Sequence, residues 1–304
     1  MSTPQFLTLP PGVFPVELPL SHGPVAALRA IPPSGSSPEL CPAVLVHGYT
    51  GSKEDFIALL QSLAQVGREV LAIDLPGTYR SPGFETLAPT PGSPLPDYRL
   101  SSLGMVAAEV CDTVGSGRPT HLVGHSMGGL ISRETVLSHS TELASLTLLC
   151  SGPGALGGQG AARARMLIAA LSAADPTPDR MRELWEEHMA DEIEARVPDT
   201  QVRAFLRDRL LSSSPEGLLR TAEDLLSATD RTEELAAADV PTMVLYGEND
   251  DAWPPKEQED MADRLGARRV VVPAAGHSPN VEAPETTSTA LTSFWNDCEC
   301  VGQR

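Results

Sequence analysis

The sequence predicts an α/β fold: a mainly parallel central sheet with a helical lid inserted in it. Three observations carry this. From residue 43 to 150, short apolar runs alternate with helix-period segments in the order strand, helix, strand, helix, strand, helix, strand, the pattern of a parallel sheet with right-handed crossovers. From Gly152 to about Ala228 only helical segments appear. The alternation then resumes to about residue 295. The expected division is a core of 1–152 with 231–304, and an inserted helical lid over 153–230.

The elements follow in order. Gln5–Leu9, Val13–Leu18 and Pro24–Ile31 are strand-like runs separated by Pro and Gly, and they read as an antiparallel meander. After a Pro/Ser/Gly turn over Pro32–Pro42, Ala43–Val46 is a continuous apolar run, as a strand buried on both faces requires. Lys53–Val66 has helical periodicity through Phe56, Leu59, Leu60 and Leu63, with Ser52 and Asp55 resembling a capping box. Glu69–Ile73 is a strand, and Thr78–Asp97 is a Pro-, Gly- and Ser-rich loop without a period. Leu100–Val114 is a helix, Thr120–Val123 a strand, Met127–His139 a helix and Leu143–Cys150 a strand.

Within the insertion, Met181, Leu184, Trp185, Met189 and Ile193 form one apolar stripe. Val202, Phe205, Leu206 and Leu210 form a second, and Leu218, Leu219, Ala222, Leu225 and Leu226 a third. These stripes suit packing on the sheet and lining a pocket equally. Val240–Tyr246 and Arg268–Val272 are strands, Lys256–Leu265 and Pro284–Trp295 helices.

Composition narrows the function. The net charge of −18 disfavours nucleic acid and anionic membrane surfaces as partners. No apolar run is long enough to span a bilayer. The five cysteines are an odd, scattered set that fits a reducing, cytoplasmic setting better than a disulfide framework. Cys298 and Cys300 read as exposed terminal thiols, and no metal-ligand spacing or phosphate loop stands out. The N-terminus shows no signal-peptide pattern. His22 and His188 read as exposed, His121 as starting a strand, and His139 as closing a helix. The oligomeric state stays open.

The stretch that organises the chain is His121–Leu130, where an apolar run ends in Gly124-His125-Ser126-Met127-Gly128 and a helix follows at once. A serine on a strained strand-to-helix turn projects its hydroxyl above the sheet edge, with a helix N-terminus aimed at it. A bare Gly-x-Ser-x-Gly arises by chance in roughly one chain in ten of this length, so its partners must carry the case. A serine hydroxyl needs a base, and the base needs an orienting acid. Such groups belong at the carboxyl ends of strands. Tyr246–Pro254 and Ala275–Pro279 are two such loops, and Ser126, Asp250 and His277 stand in the hydrolase order. Asp251 competes with Asp250.

With these residues in hand, the chain resembles the α/β-hydrolases of the lid-bearing esterase and lipase type. The matching motifs are His47-Gly48-Tyr49, Asp74-Leu75-Pro76-Gly77, Gly124–Gly128, Gly247-Glu248-Asn249-Asp250 and Gly276-His277. The resemblance implies Ser126 as nucleophile, His277 as general base and Asp250, by its spacing from Gly247 and Pro254, as the orienting acid. It implies an oxyanion hole from the backbone N–H groups of Tyr49 and Met127, and a bracing role for His47. His125 is expected to pack or hydrogen-bond, and His125, Trp185 and Trp253 are candidate pocket residues. One departure concerns the Asp-x-Pro-Gly loop, which usually continues Gly-x-Ser. Here Thr78-Tyr79-Arg80-Ser81 keeps only the serine.

The expected function is hydrolysis of a carboxylic ester or thioester of a largely apolar small molecule, without a cofactor. Ser126 in place of Asp argues against epoxide and haloalkane hydrolysis. The same residues also serve lactone or carbon–carbon bond hydrolysis and cofactor-free elimination or cyclisation. From another class, a ligand-binding sensor built on the same fold remains an alternative.

Overall fold

The computed structural model describes residues 2–33, 40–87, 96–172 and 177–301. Parts of the Pro32–Pro42 turn and of the Thr78–Asp97 loop therefore lie outside the described residues. Strands β1 (Val13–Leu20) and β2 (Gly23–Ala30) form an antiparallel hairpin. β3 (Ala43–Val46) leads through a 3-10 turn, Lys53–Phe56, into α1 (Ile57–Gln65). β4 (Val70–Ile73), α2 (Leu100–Gly115), β5 (Thr120–His125), α3 (Met127–Ser138) and β6 (Leu143–Leu149) follow. Five helices come next: α4 (Gly158–Ser172), α5 (Pro178–His188), α6 (Ala190–Arg196), α7 (Thr200–Leu211) and α8 (Pro215–Ser227). After α9 (Thr232–Ala236), the chain returns through β7 (Thr242–Gly247), α10 (Pro255–Leu265) and β8 (Arg268–Val272). It closes with α11 (Pro279–Glu282) and α12 (Pro284–Val301).

The sheet has eight strands in the order β1-β2-β4-β3-β5-β6-β7-β8, and it is parallel from β4 to β8. β3, β4 and β5 are buried along their whole length, which is why β3 and β4 read as continuous apolar runs rather than alternating ones. The reversal of strand order on either side of β3 leaves a crevice at the carboxyl ends of the strands, where ligands of open parallel sheets bind.

The N-terminal expectation needs correction. Gln5–Leu9 forms no strand. Prolines at 4, 10 and 11 remove ladder donors on both sides of it. Instead the Gln5 amide donates to Val281 O at 2.7 Å, and Leu7 packs on the helical insertion.

The C-terminal expectation also fails in part. α12 runs past Trp295 to Val301, and Cys298 is half-buried against the sheet core rather than exposed. The reason is the stripe Leu291, Phe294, Trp295 and Cys298, which continues at spacings of three and one. Glu299 beside it pairs with Arg68 and His121, and the His121 ring stacks on Trp295 at 5.1 Å. His22 is half-buried, 3.6 Å from Glu109, whereas His188 is exposed.

The stripes of the insertion pack mainly on one another. Leu167, Leu171, Met181, Leu184, Trp185, Ile193, Val202, Leu206, Leu210 and Leu218 form a second apolar core apart from the one around the sheet. Burying such side chains is worth about 1.5–3 kcal/mol each, so the insertion carries its own stabilisation. The single stripe read from Met181 to Ile193 is two helices, broken at Met189 (φ −130°).

Tyr79 ties this unit to the core. It stands at φ +46°, a left-handed conformation that favours glycine, at the position where the related loops carry one. Its ring meets Phe205 of α7 edge-on at 5.4 Å, with Lys53 Nζ 4.8 Å from the ring centre. The departure from the Gly-x-Ser pattern thus supplies a docking side chain for the insertion. A second tie is the buried ion pair of Arg209 in α7 with Asp55, at 2.7 Å.

Candidate active site

β5 delivers its last residue straight into α3, and the turn between them is tight. A Cβ on Gly124 would lie 2.1 Å from Gly128 O, and one on Gly128 would lie 2.4 Å from Val46 O. No side chain fits at either position. Ser126 sits between them at φ +55°, ψ −120°, a backbone conformation that costs about 1–3 kcal/mol and is held only because its surroundings over-determine it. The turn thus presents the Ser126 hydroxyl at the end of the sheet.

The loops after β7 and β8 meet it there. A Cβ on Gly247 would come 2.0 Å from Gly276 O, so these loops touch backbone to backbone. His277 Nε2 lies 2.9 Å from Ser126 Oγ, and its Nδ1 lies 2.8 Å from Asp250 Oδ1. The chain of contacts requires Nδ1 to carry the proton donated to the carboxylate, leaving Nε2 to accept from the serine hydroxyl. Asp251 is exposed and takes no part.

Asp250 is held from several sides. Oδ1 also accepts from the Ala252 N–H at 2.9 Å, and Oδ2 accepts from the Gln258 amide at 2.8 Å. Burial works against its ionisation. The hydrogen bond and charge of His277, with the donors of Ala252 and Gln258, outweigh this and hold the carboxyl below the ordinary range. The His277 loop is fixed in turn by Glu282, whose carboxylate accepts from the N–H groups of Gly276 and Ser278. Gln258 and Glu282 were not anticipated. They belong to helices after the strand ends, and nothing local in the sequence marks their direction.

The residues expected to form an oxyanion hole flank the serine. Met127 opens α3, so its N–H lacks an intrahelical partner. Tyr49 follows Gly48, on which a Cβ would lie 2.9 Å from Ser126 Cβ. The Tyr49 N–H donates to no backbone group among the described residues. His47 supports this loop: its Nδ1 donates to Gly48 O at 2.8 Å and its Nε2 accepts from the Leu75 N–H at 3.1 Å. Burial lowers its pKa to about 3, so it is a neutral brace.

The three candidate pocket residues are placed elsewhere. His125 is buried, and its Nε2 donates to His277 O at 2.7 Å. Burial, with His277 nearby, lowers its pKa to about 3. Trp253 is buried with its Nε1 donating to Gly154 O at 3.3 Å, tying the Asp250 loop to the start of the insertion. Trp185 lies in the insertion's own core. None of them lines the cavity beside Tyr49 and Met127, whose walls include Leu75, Tyr98, Leu103 and Leu218.

Among the described residues, two groups of potential ligand atoms converge, Cys150 with Asp250 and His277, and Cys41 with His121 and Glu299. Neither donor set suits a cation. Burial pushes the Cys150 thiol well up, so it stays protonated, and Asp250 and His277 already bond each other. The second group already holds the Arg68 guanidinium, which pairs with Glu299 and donates to Cys41 O at 2.8 Å.

Comparison with known proteins places the chain in a family. Residues 43–290 match the alpha/beta hydrolase family. Over 271 residues the chain is 28% identical to a pimeloyl-[acyl-carrier protein] methyl ester esterase of Aeromonas hydrophila, covering 86% of this chain and 96% of that one. It is 24% identical to Lipase 3 of a Moraxella species, covering 83% and 76% respectively. Among solved structures, a hydrolase from Pseudomonas aeruginosa matches with a TM-score of 0.68 at 24% identity, over 92% of this chain and 97% of that one.

Proposed function

The chain belongs to the α/β-hydrolase family and is a hydrolase, and from that premise we propose that it cleaves a carboxylic ester or thioester through an acyl-enzyme on Ser126. The observation that carries the reading is the chain of contacts from Ser126 Oγ through His277 to Asp250, at 2.9 and 2.8 Å.

His277 Nε2 takes the proton of Ser126 as Oγ bonds to the substrate carbonyl carbon. The carbonyl electrons move to oxygen, and the N–H groups of Tyr49 and Met127 receive the oxyanion, an interaction typically worth about 3 kcal/mol per donor. Collapse breaks the bond to the leaving group, which departs with the proton from His277. Water then repeats the sequence, releasing the acid and restoring Ser126. Asp250 fixes the imidazole tautomer and offsets the positive charge that His277 gains.

The helices between β6 and β7 are read as a lid over this site, since Gly217, Leu218 and Thr221 of α8 wall the cavity beside Tyr49 and Met127. A reducing, cytoplasmic setting suits the five free cysteines, and no described helix is long and apolar enough to cross a membrane. The test is to incubate the protein with a fluorophosphonate probe and with p-nitrophenyl acyl esters. Labelling and turnover that both vanish in Ser126→Ala support the reading; turnover that survives the substitution overturns it.

A further inference from the structure

We infer that the acyl group accepted at this site is short, of two or three carbons, and that the bulk of the substrate lies on its leaving-group side. The inference rests on the serine-hydrolase reading and deepens it. Beside the two oxyanion residues lies a cavity of about 20 Å³, bounded by Tyr49, Met127, Leu75, Leu103, Tyr98 and Leu218. Since about 10–15 Å³ holds one water, there is room for one or two non-hydrogen atoms beyond the carbonyl carbon.

Four of the five hydroxyls around this space are already engaged, Thr78 being the exception. Tyr49 Oη donates to Leu218 O at 3.0 Å, Thr221 Oγ1 to Gly217 O at 2.6 Å and Thr50 Oγ1 to Tyr49 O at 2.7 Å. Tyr98 Oη donates to Glu85 and accepts from the Phe84 N–H at 2.8 Å. What faces the cavity is therefore mainly hydrocarbon, which suits an alkyl group and not a polar one.

Direction follows from the proton. The leaving atom must be reached by His277 Nε2; the cavity is lined by both oxyanion residues, Tyr49 and Met127, and by neither Ser126 nor His277, whose side chain is 26% exposed. The acyl chain is then the part that enters the cavity, and the leaving group points past His277 toward solvent.

The ceiling of the cavity is pinned. α8 is held by the Tyr49–Leu218 hydrogen bond, by the Ser214 N–H donating to Gly77 O at 2.7 Å, and by Asp224 accepting from the Leu100 N–H at 2.9 Å. Asp224 also pairs with Arg99. Enlarging the space would break several of these at once.

The experiment compares kcat/KM for p-nitrophenyl acetate, propionate, butyrate and hexanoate, beside labelling with an ethyl fluorophosphonate. We expect kcat/KM to fall by about 100-fold from acetate to hexanoate, the penalty of overfilling a packed site. In Leu218→Ala, and separately in Leu103→Ala from another wall, the hexanoate-to-acetate ratio should rise about tenfold. A labelled wild-type protein whose kcat/KM is flat or rises with chain length overturns the short-acyl inference alone. A protein that Ser126→Ala leaves labelled and active overturns the reading beneath it and the inference together.

Discussion

The side-chain amide of Gln258 donates to Asp250 Oδ2 at 2.8 Å and, with the same nitrogen, to Trp253 O at 2.8 Å. This fully buried residue of α10 therefore sets both the carboxylate orientation and the path of the loop that carries it. Gln258→Leu keeps the volume and removes the donor. We expect kcat to fall by about tenfold, the usual scale for an outer-shell hydrogen bond, with KM little changed because Gln258 touches no substrate. Steady-state kinetics on the purified variant checks this, with the melting temperature measured alongside to exclude a folding defect.

Asp250 and Asp251 are adjacent in sequence and opposite in circumstance. Asp250 is buried and bonded to His277, whereas Asp251 is exposed. Asp250→Asn should cost about four orders of magnitude in kcat by favouring the wrong imidazole tautomer. Asp251→Asn should change kcat by less than about twofold. Parallel turnover measurements on the two variants decide between them.

His47 gives a signed dependence on pH. Burial holds its folded pKa at about 3, against an ordinary 6.5. Between those values the unfolded chain binds a proton that the folded protein refuses. The stability contributed by neutral His47 is complete above 6.5 and is lost as pH falls toward 3, at up to about 1.4 kcal/mol per pH unit. Asp55 and Asp74, raised to about 6 by burial, act with the opposite sign between 3.8 and 6. The readout is therefore the difference between wild type and His47→Gln in denaturant melts. The wild-type advantage should narrow steadily on acidification; a constant difference contradicts a neutral, buried His47.

Much of this was legible in the sequence because the signals were local and steric. Gly124 and Gly128 mark the elbow since backbone atoms occupy the space of their Cβ atoms. The apolar runs of β3 and β4 announce strands buried on both faces. The alternation from residue 43 onward implied the parallel sheet. What stayed hidden was decided by tertiary partners. Trp185 sits in a stripe that fits a pocket as well as a core, and only packing between α5, α7 and their neighbours chose the core. Trp253 follows the acid loop, yet the close approach of Gly152, where a Cβ would meet its ring at 2.0 Å, turns it inward. Gln5–Leu9 reads as strand-like, but no strand among the described residues pairs with it. Gln258 and Glu282 gain their roles only when distant loops meet.

In the proposed reaction Ser126 is the nucleophile, activated through His277. Its most direct test is mass spectrometry of the intact protein and its peptides after reaction with a fluorophosphonate. One adduct per chain is expected, carried on the peptide containing Ser126 and absent from Ser126→Ala. An adduct on another residue, or turnover of acyl esters undiminished in Ser126→Ala, would contradict it.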